Sequence, residues 1–205
     1  MKKVQGIILR SVDYGERDKI LTVALSDGSI LAASAKNVRS SKAKLKAYIS
    51  ILTFGEFILT DGKAGYIISS ADPIDAFYNC WSDGDKAQAA VFCCGIYQQA
   101  FKNGGEPSDF LNLVKTLKEI NYGNAIGRAV ALCFLIRVSV SLGVEIVSGN
   151  EYLSGIFAQL ENAEVEEVET LDLSESEITD AVNYILKLFK NELGIIIQPY
   201  VKNAL

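Results

Sequence analysis

Histidine is absent from this 205-residue sequence, and proline, methionine and tryptophan are scarce. The missing histidine excludes Ser-His and Cys-His nucleophile pairs and removes the commonest general base and catalytic zinc ligand. Neither a P-loop nor a G-x-G-x-x-G motif occurs. Carboxylate chemistry remains open, but no pattern points to it. The sequence therefore predicts a protein that is not an enzyme and that binds no cofactor.

Cysteine is present only four times, as Cys80, Cys93, Cys94 and Cys133, and no pair has the C-x-x-C spacing of a zinc or redox site. Adjacent helical residues point about 100° apart, so Cys93 and Cys94 make a poor chelating pair. Buried free thiols are the favoured interpretation, because a buried cysteine behaves as a small hydrophobic residue. A thiol protein acting through Cys93 and Cys94 is the least favoured alternative, since neither has an activating neighbour.

Long hydrophobic runs without charge are also missing. The start, "MKKVQGIILRSVDYG", has too short an apolar run for a signal peptide. The segment "NAIGRAVALCFLIRVSVSLG" approaches membrane-spanning length, but Arg128 and Arg137 lie within it and charge is costly at that depth in lipid. We interpret it as a buried helix of a soluble protein with no membrane contact, and expect a cytoplasmic location.

Charge divides the chain into two parts. Residues 1–71 carry 11 cations and 6 acids, a net of +5, whereas residues 72–205 carry 9 cations and 19 acids, a net of −10. These values sum to the −5 of the whole chain. Such an asymmetry indicates two modules with different partners.

The first module has the pattern of a small β-barrel. Five short runs rich in Ile, Val, Leu, Tyr and Phe are separated by turn residues, and the five-stranded OB-fold is the commonest barrel of that size. Pro73 ends the last run, and helical periodicity begins soon after it. We therefore predict an α+β protein, with an OB-fold domain over residues 1–75 and an all-α helical domain over residues 76–205.

The second module has helical periodicity in four segments, residues 84–104, 106–123, 124–142 and 174–194. The third is apolar on nearly every side and should be central. The last opens with the capping-box spacing of Ser174 and Glu177 and ends at Gly194. The acidic stretch 161–177 is either a metal cluster or a solvated linker. The linker is favoured, because no metal-ligand spacing is present.

The stretch "SAKNVRSSKAKLKAY" concentrates five of the 20 cations between Lys36 and Lys46 without an acid. Period-two spacing places Lys42, Lys44 and Lys46 on one face if the segment is a strand. Cations on one face suit a phosphate backbone, although lysine is also common on exposed strand edges. The candidate nucleic-acid residues are Arg17, Lys19, Lys36, Arg39, Lys42, Lys44 and Lys46, with Tyr14 and Tyr48 as flanking aromatics. For the two tyrosines, packing in the core or a turn is favoured over base stacking.

The turn motif of Arg10, Asp13, Tyr14, Gly15, Glu16, Asp18, Ile20 and Thr22, followed by "AKNVRSSKA", resembles the opening of the bacterial RecO family of DNA repair and recombination mediators. RecO proteins have an R-x-x-D-Y-G-E-x-D-x-I-x-T-like turn and an "AKGARRSKS"-like basic segment in that order. The stretches "LGVEI" and "ELGIIIQPYVKNAL" fall where the family has related sequences. The similarity is strongest over residues 5–46 and thin between residues 80 and 125.

The resemblance implies an N-terminal OB-fold, a helical C-terminal domain and no catalysis. RecO proteins bind single- and double-stranded DNA, anneal strands and, with RecR, help load RecA onto DNA covered by single-strand-binding protein. A nucleoid-associated cytoplasmic location follows. Many members carry a four-cysteine zinc site after the central helix. Because that region has no cysteine here, we carry over no metal. The family's C-terminal tail is usually basic, whereas this one keeps only Lys202, so DNA contact through the tail is not expected.

Arg128 and Arg137 are candidate partner-binding residues. An unpaired buried charge is expensive, so each arginine should pair with an acid or reach the surface. A structural ion pair is favoured, and the alternative is that one of them takes the carboxylate end of a single-strand-binding protein tail. At the level of the whole protein, the alternative to a DNA-binding mediator is a protein-interaction scaffold of the same fold that has lost DNA affinity.

Overall fold

The computed structural model describes residues 1–40, 43–63, 65–171 and 173–197. The chain divides into two compact units. The first, the barrel unit, comprises Met1–Phe77 together with Phe101–Phe110. The second, the helical unit, comprises Tyr78–Ala100 and the chain from Leu111 onward.

Five strands form the barrel unit, and each coincides with one of the predicted β-rich runs. They are β1 (Lys2–Tyr14), β2 (Asp18–Leu25), β3 (Ile30–Ala35), β4 (Phe54–Gly62) and β5 (Gly65–Asp75). The order around the closed barrel is β1-β2-β3-β5-β4, with β1 also pairing with β4. Only the β3–β5 pair is parallel among these five strands. The predicted α+β class with a five-stranded N-terminal barrel is confirmed.

Alternation of apolar side chains fills the barrel interior. In β2, Leu21, Val23 and Leu25 are all buried at period two, as expected for a strand with one face on the core. Phe57 and Leu59 of β4 repeat the pattern. A short parallel contact between β3 and β5, of two residue pairs, closes the barrel.

Among the described residues of the basic stretch that follow β3, none lies in a strand, and the single strand face predicted for Lys44 and Lys46 is wrong. Lys44–Tyr48 is a 3₁₀ helix, and β4 begins only at Phe54. In this geometry residues two apart point about 120° away from each other, so Lys44 and Lys46 diverge. Leu45 in this helix and Ile49 directly after it both pack on the barrel core. Lys42 lies outside the described residues.

Five helices form the rest of the fold: α1 (Gly84–Ala100), α2 (Pro107–Tyr122), α3 (Gly127–Ser141), α4 (Glu151–Asn162) and α5 (Glu175–Leu193). The central helix α3 is buried along almost its whole length, as predicted. None of the helices in the described ranges is long and apolar enough to span a membrane. The capping box of Ser174 and Glu177 and the left-handed Gly194 at the end of α5 are both confirmed.

Two features of the helical unit differ from the sequence prediction. Helix α4 was not expected. The acidic stretch that follows it is not merely a solvated linker, because Val165–Thr170 is a 3₁₀ helix whose Val165 and Val168 are buried. Residues three apart lie on one side of a 3₁₀ helix, so the two valines pack inward even though acids separate them in the sequence.

Gly28 supplies a stability test of the barrel unit. Its φ is +87°, and a Cβ there would lie 2.2 Å from the Gly105 carbonyl oxygen. We expect Gly28→Ala to lower the free energy of unfolding by about 2–4 kcal/mol, through left-handed strain and steric overlap together. Urea unfolding followed by circular dichroism measures the change.

Gly15→Ala is the matched control. Gly15 is also left-handed, with φ +59°, but no atom lies within 4 Å of its Cβ position. Strain alone should cost about 1 kcal/mol there. Equal losses in the two variants would show that the close approach at Gly28 contributes nothing.

Candidate nucleic-acid interface

The Asp18 carboxylate joins the turn between β1 and β2 to the basic segment after β3. Its Oδ2 accepts a hydrogen bond from Lys36 Nζ at 2.8 Å, and its Oδ1 accepts one from the backbone N–H of Asn37 at 2.8 Å. The Asn37 hydrogen bond, followed by that from Lys36, holds the pKa of Asp18 below its ordinary value. Asn37 has φ 56°, a left-handed conformation that asparagine tolerates well.

Asp13 makes a second connection between the same two segments. Its carboxylate lies 3.2 Å from Arg39 Nη2 and 3.7 Å from Lys19 Nζ. Arg39 also donates from Nη1 to the Gly15 carbonyl, and its backbone N–H donates to the Arg17 carbonyl, both at 3.0 Å. The basic segment is therefore docked on the first turn by backbone and side-chain hydrogen bonds as well as by charge.

Buried side chains anchor the basic segment from beneath. Val38 is 1% exposed, Ile49 is buried, and Leu45 packs against the same barrel core. The cations of the segment that are exposed are Lys36, Arg39, Lys44 and Lys46. A surface of this kind holds its charges in place because the backbone that carries them is part of the packed barrel.

The cations fall into two groups by their partners. Lys19, Lys36 and Arg39 are paired with Asp13 or Asp18. No ion pair in the described part of the chain involves Arg17, Lys44 or Lys46. We call the described cations Arg17, Lys19, Lys36, Arg39, Lys44 and Lys46 the basic surface. They outnumber the neighbouring acids Asp13, Glu16 and Asp18 by six to three, so the surface keeps a net positive charge.

Both flanking tyrosines face solvent. Tyr14 at the end of β1 is 60% exposed and Tyr48 in the 3₁₀ helix is 42% exposed. Neither tyrosine is therefore buried in the core, and stacking on bases stays a prediction for both. Each presents ring surface to solvent in a segment that carries the basic surface.

Lys63 and Tyr66 are candidates that sequence reasoning missed. Lys63 lies in the turn between β4 and β5, and Tyr66 follows it at 40% exposure. Strand β5 enters the barrel beside β3, with Tyr66 paired to Ala33. In OB-folds the turns between strands one and two and between strands four and five border the ligand face. A lysine in the "TDGKAG" turn was the available signal.

Arg128 and Arg137, the candidate partner-binding residues, are both engaged within the helical unit. Arg128 Nε donates to Asp85 at 2.9 Å, and its Nη1 lies 3.8 Å from Glu175. Arg137 Nη2 donates to the Ala163 carbonyl at 2.8 Å. The expected pairing of each arginine within the domain is present. Arg128 additionally lines a pocket of about 390 Å³.

The adjacent Cys93 and Cys94 lie near Cys80 and Cys133 in the helical unit, and all four thiols are buried. Burial raises the pKa of Cys94 to about 12 and that of Cys93 well above its usual value. A thiolate is the reactive form, so these thiols are poorly suited to nucleophilic chemistry. Within the described ranges no group of three or more Cys, Asp or Glu is placed to hold a metal ion.

Asp18→Ala tests the connection between the two segments. Because the pKa of Asp18 is lowered in the folded protein, its ionised form stabilises the fold above its ordinary pKa of 3.8, and this contribution is lost as pH falls through the lowered value. At pH 7 we expect the Asn37 amide of the variant to exchange with solvent roughly tenfold faster than in the wild type. Near pH 2, where Asp18 becomes protonated, the difference in Asn37 exchange rate between variant and wild type should shrink.

Glu16→Ala serves as the control, because this substitution removes an equal charge from the same turn. Glu16 makes none of the ion pairs between described residues. Hydrogen exchange measured by NMR distinguishes the two variants. An unchanged Asn37 amide in Asp18→Ala at pH 7 would contradict the proposed role of this carboxylate.

Comparison with known proteins agrees with this geometry. Residues 1–77 match the family described as "Recombination protein O N terminal". The chain is also similar to proteins described as "DNA repair protein RecO". The Staphylococcus haemolyticus protein is 29% identical over 126 residues, which cover 61% of this chain and 50% of the relative. The Dehalococcoides mccartyi protein is 30% identical over 123 residues, covering 60% and 49%.

A third relative, from Acetivibrio thermocellus, is 31% identical over 111 residues, covering 54% of this chain and 44% of that protein. The matched region spans about half the length of these curated relatives. The matched N-terminal region coincides with the barrel that carries the basic surface. Over residues 1–77 this chain is therefore similar to the RecO N-terminal family, and the resemblance inferred from the sequence is confirmed.

Proposed function

We propose that this chain is a non-enzymatic DNA-binding protein of recombinational DNA repair. Residues 1–75 act as the DNA-binding domain and residues 76–205 as a helical domain for partner contacts. The observation that carries the proposal is the basic surface, docked on the first turn of a barrel whose fold commonly binds oligonucleotides there. Similarity to proteins described as DNA repair protein RecO supports the same role.

The chemistry of the basic surface suits a phosphate backbone. Arg17, Lys44 and Lys46 offer charge that no acid of the described chain neutralises. Exposed ion pairs such as Lys36–Asp18 are worth little in water, so a phosphate can share or replace the carboxylate at small cost. Each neutralised phosphate releases condensed counterions, which supplies affinity without regard to sequence.

Aromatic rings at the margins of the basic surface add base contacts. Tyr14, Tyr48 and Tyr66 expose ring faces on which an unpaired base stacks. Stacking and phosphate contact read no base edges, so binding should depend only modestly on sequence. We propose that both single- and double-stranded DNA bind, with annealing and RecA loading assisted by RecR, as the family resemblance implies.

The pocket beside Arg128 is the proposed site for the tail of a single-strand-binding protein. Phe92, Ala131, Ile178 and Val182 give it an apolar lining, and Arg128 supplies a guanidinium for the terminal carboxylate. Glu175 competes for the same guanidinium from 3.8 Å, so binding should be modest. Arg137 is fully engaged with the Ala163 carbonyl and its neighbours, and we assign it a structural role.

The DNA proposal predicts a salt-dependent affinity. With three to five phosphates neutralised, log K against log salt should slope about −2 to −3.5 for single strands. Lys44→Glu combined with Lys46→Glu should flatten the slope by about 1.4 and weaken binding by on the order of tenfold at low salt. Fluorescence anisotropy of a labelled oligonucleotide at several salt concentrations gives both quantities.

Lys187→Glu combined with Lys190→Glu is the matched control, because it changes net charge equally at two exposed positions of α5. This control should retain the wild-type slope. Absence of any oligonucleotide affinity in the wild type at about 20 mM salt would eliminate the proposal. The protein-interaction scaffold would then be the better description.

The tail proposal predicts opposite effects from two neighbouring residues. Arg128→Ala should weaken binding of a tail peptide by about tenfold, because charge-assisted hydrogen bonds are strong. Glu175→Gln should strengthen it about two- to threefold by removing the competing carboxylate. Titration calorimetry measures both, with Arg137→Ala as the control. If Arg128→Ala binds like the wild type, the pocket is not the tail site.

A further inference from the structure

Two exposed aromatic side chains share one side of a short helix at the start of the helical unit. Tyr78 and Trp81 are the first and fourth residues of the 3₁₀ helix Tyr78–Trp81. In this geometry residues three apart are eclipsed, so the two rings lie on the same side. Tyr78 is 75% exposed and Trp81 is 48% exposed, whereas Cys80 between them is buried. Cys80 therefore packs this 3₁₀ helix onto the helical unit, and both rings face solvent.

Helix α2 ends against the 3₁₀ helix Tyr78–Trp81 and carries a third exposed aromatic residue, Tyr122. Asn121 is buried, its Oδ1 accepts a hydrogen bond from the Cys80 backbone N–H at 3.0 Å, and its carbonyl accepts one from Asn79 Nδ2 at 3.3 Å. Tyr122 is the next residue and is 63% exposed. These two hydrogen bonds hold the end of α2 against the 3₁₀ helix, and Tyr122 directly follows the residue that makes them.

Lysines extend this aromatic region along α2. Lys115, Lys118 and Tyr122 are all exposed and spaced by three and four residues, which places them on one stripe of the helix. Lys86 donates from Nζ to the Gly123 carbonyl at 2.9 Å, so a third ammonium lies where α2 ends. A cationic and aromatic surface is unexpected in the half of the chain with net charge −10.

We propose that Tyr78, Trp81 and Tyr122, with Lys115 and Lys118, form a second nucleic-acid surface that takes the exposed bases of single-stranded DNA. The rings stack on successive bases and the ammonium groups contact the adjoining phosphates. Duplex DNA keeps its base faces stacked on one another, so it gains only the phosphate contacts. The proposal rests on the proposed DNA-binding function but assigns a different site in a different unit.

A nucleic acid fits this surface better than a docked protein helix. A helix-binding groove requires a continuous apolar face. On the α2 stripe, Leu111 and Tyr122 are instead separated by Lys115 and Lys118. Exposed rings together with cations are the combination that binds single strands without sequence preference.

The sole tryptophan makes the surface directly observable, because Trp81 is the only one in the chain. We expect a single-stranded oligonucleotide to quench Trp81 fluorescence at saturation, and a duplex of the same length to quench it much less. Anisotropy of the labelled oligonucleotide, measured on the same samples, reports binding to the whole protein. Oligonucleotide binding without any change in Trp81 emission would overturn the proposal while leaving the barrel site intact.

Variants separate this surface from the barrel. Tyr122→Ser combined with Lys118→Glu should weaken single-strand binding about fivefold or more and duplex binding less than twofold. The control pairs Tyr152→Ser with Lys187→Glu, an exposed tyrosine and an exposed lysine on α4 and α5, and should bind like the wild type. Thermal unfolding by circular dichroism verifies that both variants fold. Equal single-strand affinity in variant and control would refute the second surface, and a wild type without affinity for either DNA would refute both sites.

Discussion

The candidate site depends on one carboxylate. Asp18 accepts the Asn37 backbone N–H and the Lys36 ammonium with its two oxygens, which fastens the basic segment to the first turn of the barrel. Without this connection, closely spaced like charges would push the segment away from the other cations of the first turn. Asp13 repeats the arrangement with Arg39. The acids of the turn motif are therefore as much a part of the basic surface as its lysines.

That arrangement shapes how the surface meets a ligand. Paired cations are held at fixed positions, and exposed pairs exchange a carboxylate for a phosphate at little cost. Unpaired Arg17, Lys44 and Lys46 supply the net attraction among the described residues. The paired cations thus fix the position of the surface and the unpaired cations supply the attraction. A count of charges in the sequence does not distinguish these two groups.

In the helical unit, the central helix α3 is apolar on nearly every side but contains two arginines, whose charge is costly to bury. Each arginine is placed at the boundary of the core and engaged, Arg128 with Asp85 and Arg137 with the Ala163 carbonyl. The four thiols remain in the interior, where burial raises the pKa values of Cys93 and Cys94 and suppresses their reactivity. At the boundary of the core Arg128 borders a pocket, and exposed aromatic residues lie on α2 and on the 3₁₀ helix Tyr78–Trp81.

Period-two and helical periodicities in the sequence determined the five strands and four of the five helices, because those patterns reflect burial of one face. The turn motif and basic segment also indicated the similarity to the RecO family. Tertiary structure alone decided the rest. The alternating lysines predicted a strand, but Lys44–Tyr48 is a 3₁₀ helix, and Leu45 and Ile49 pack on the barrel core. Packing on the core can override a local sequence pattern. Likewise, only the fold brought Asp18 to Asn37 and Asn121 to Cys80, because hydrogen bonds between residues 19 and 41 positions apart leave no periodic trace in a single sequence.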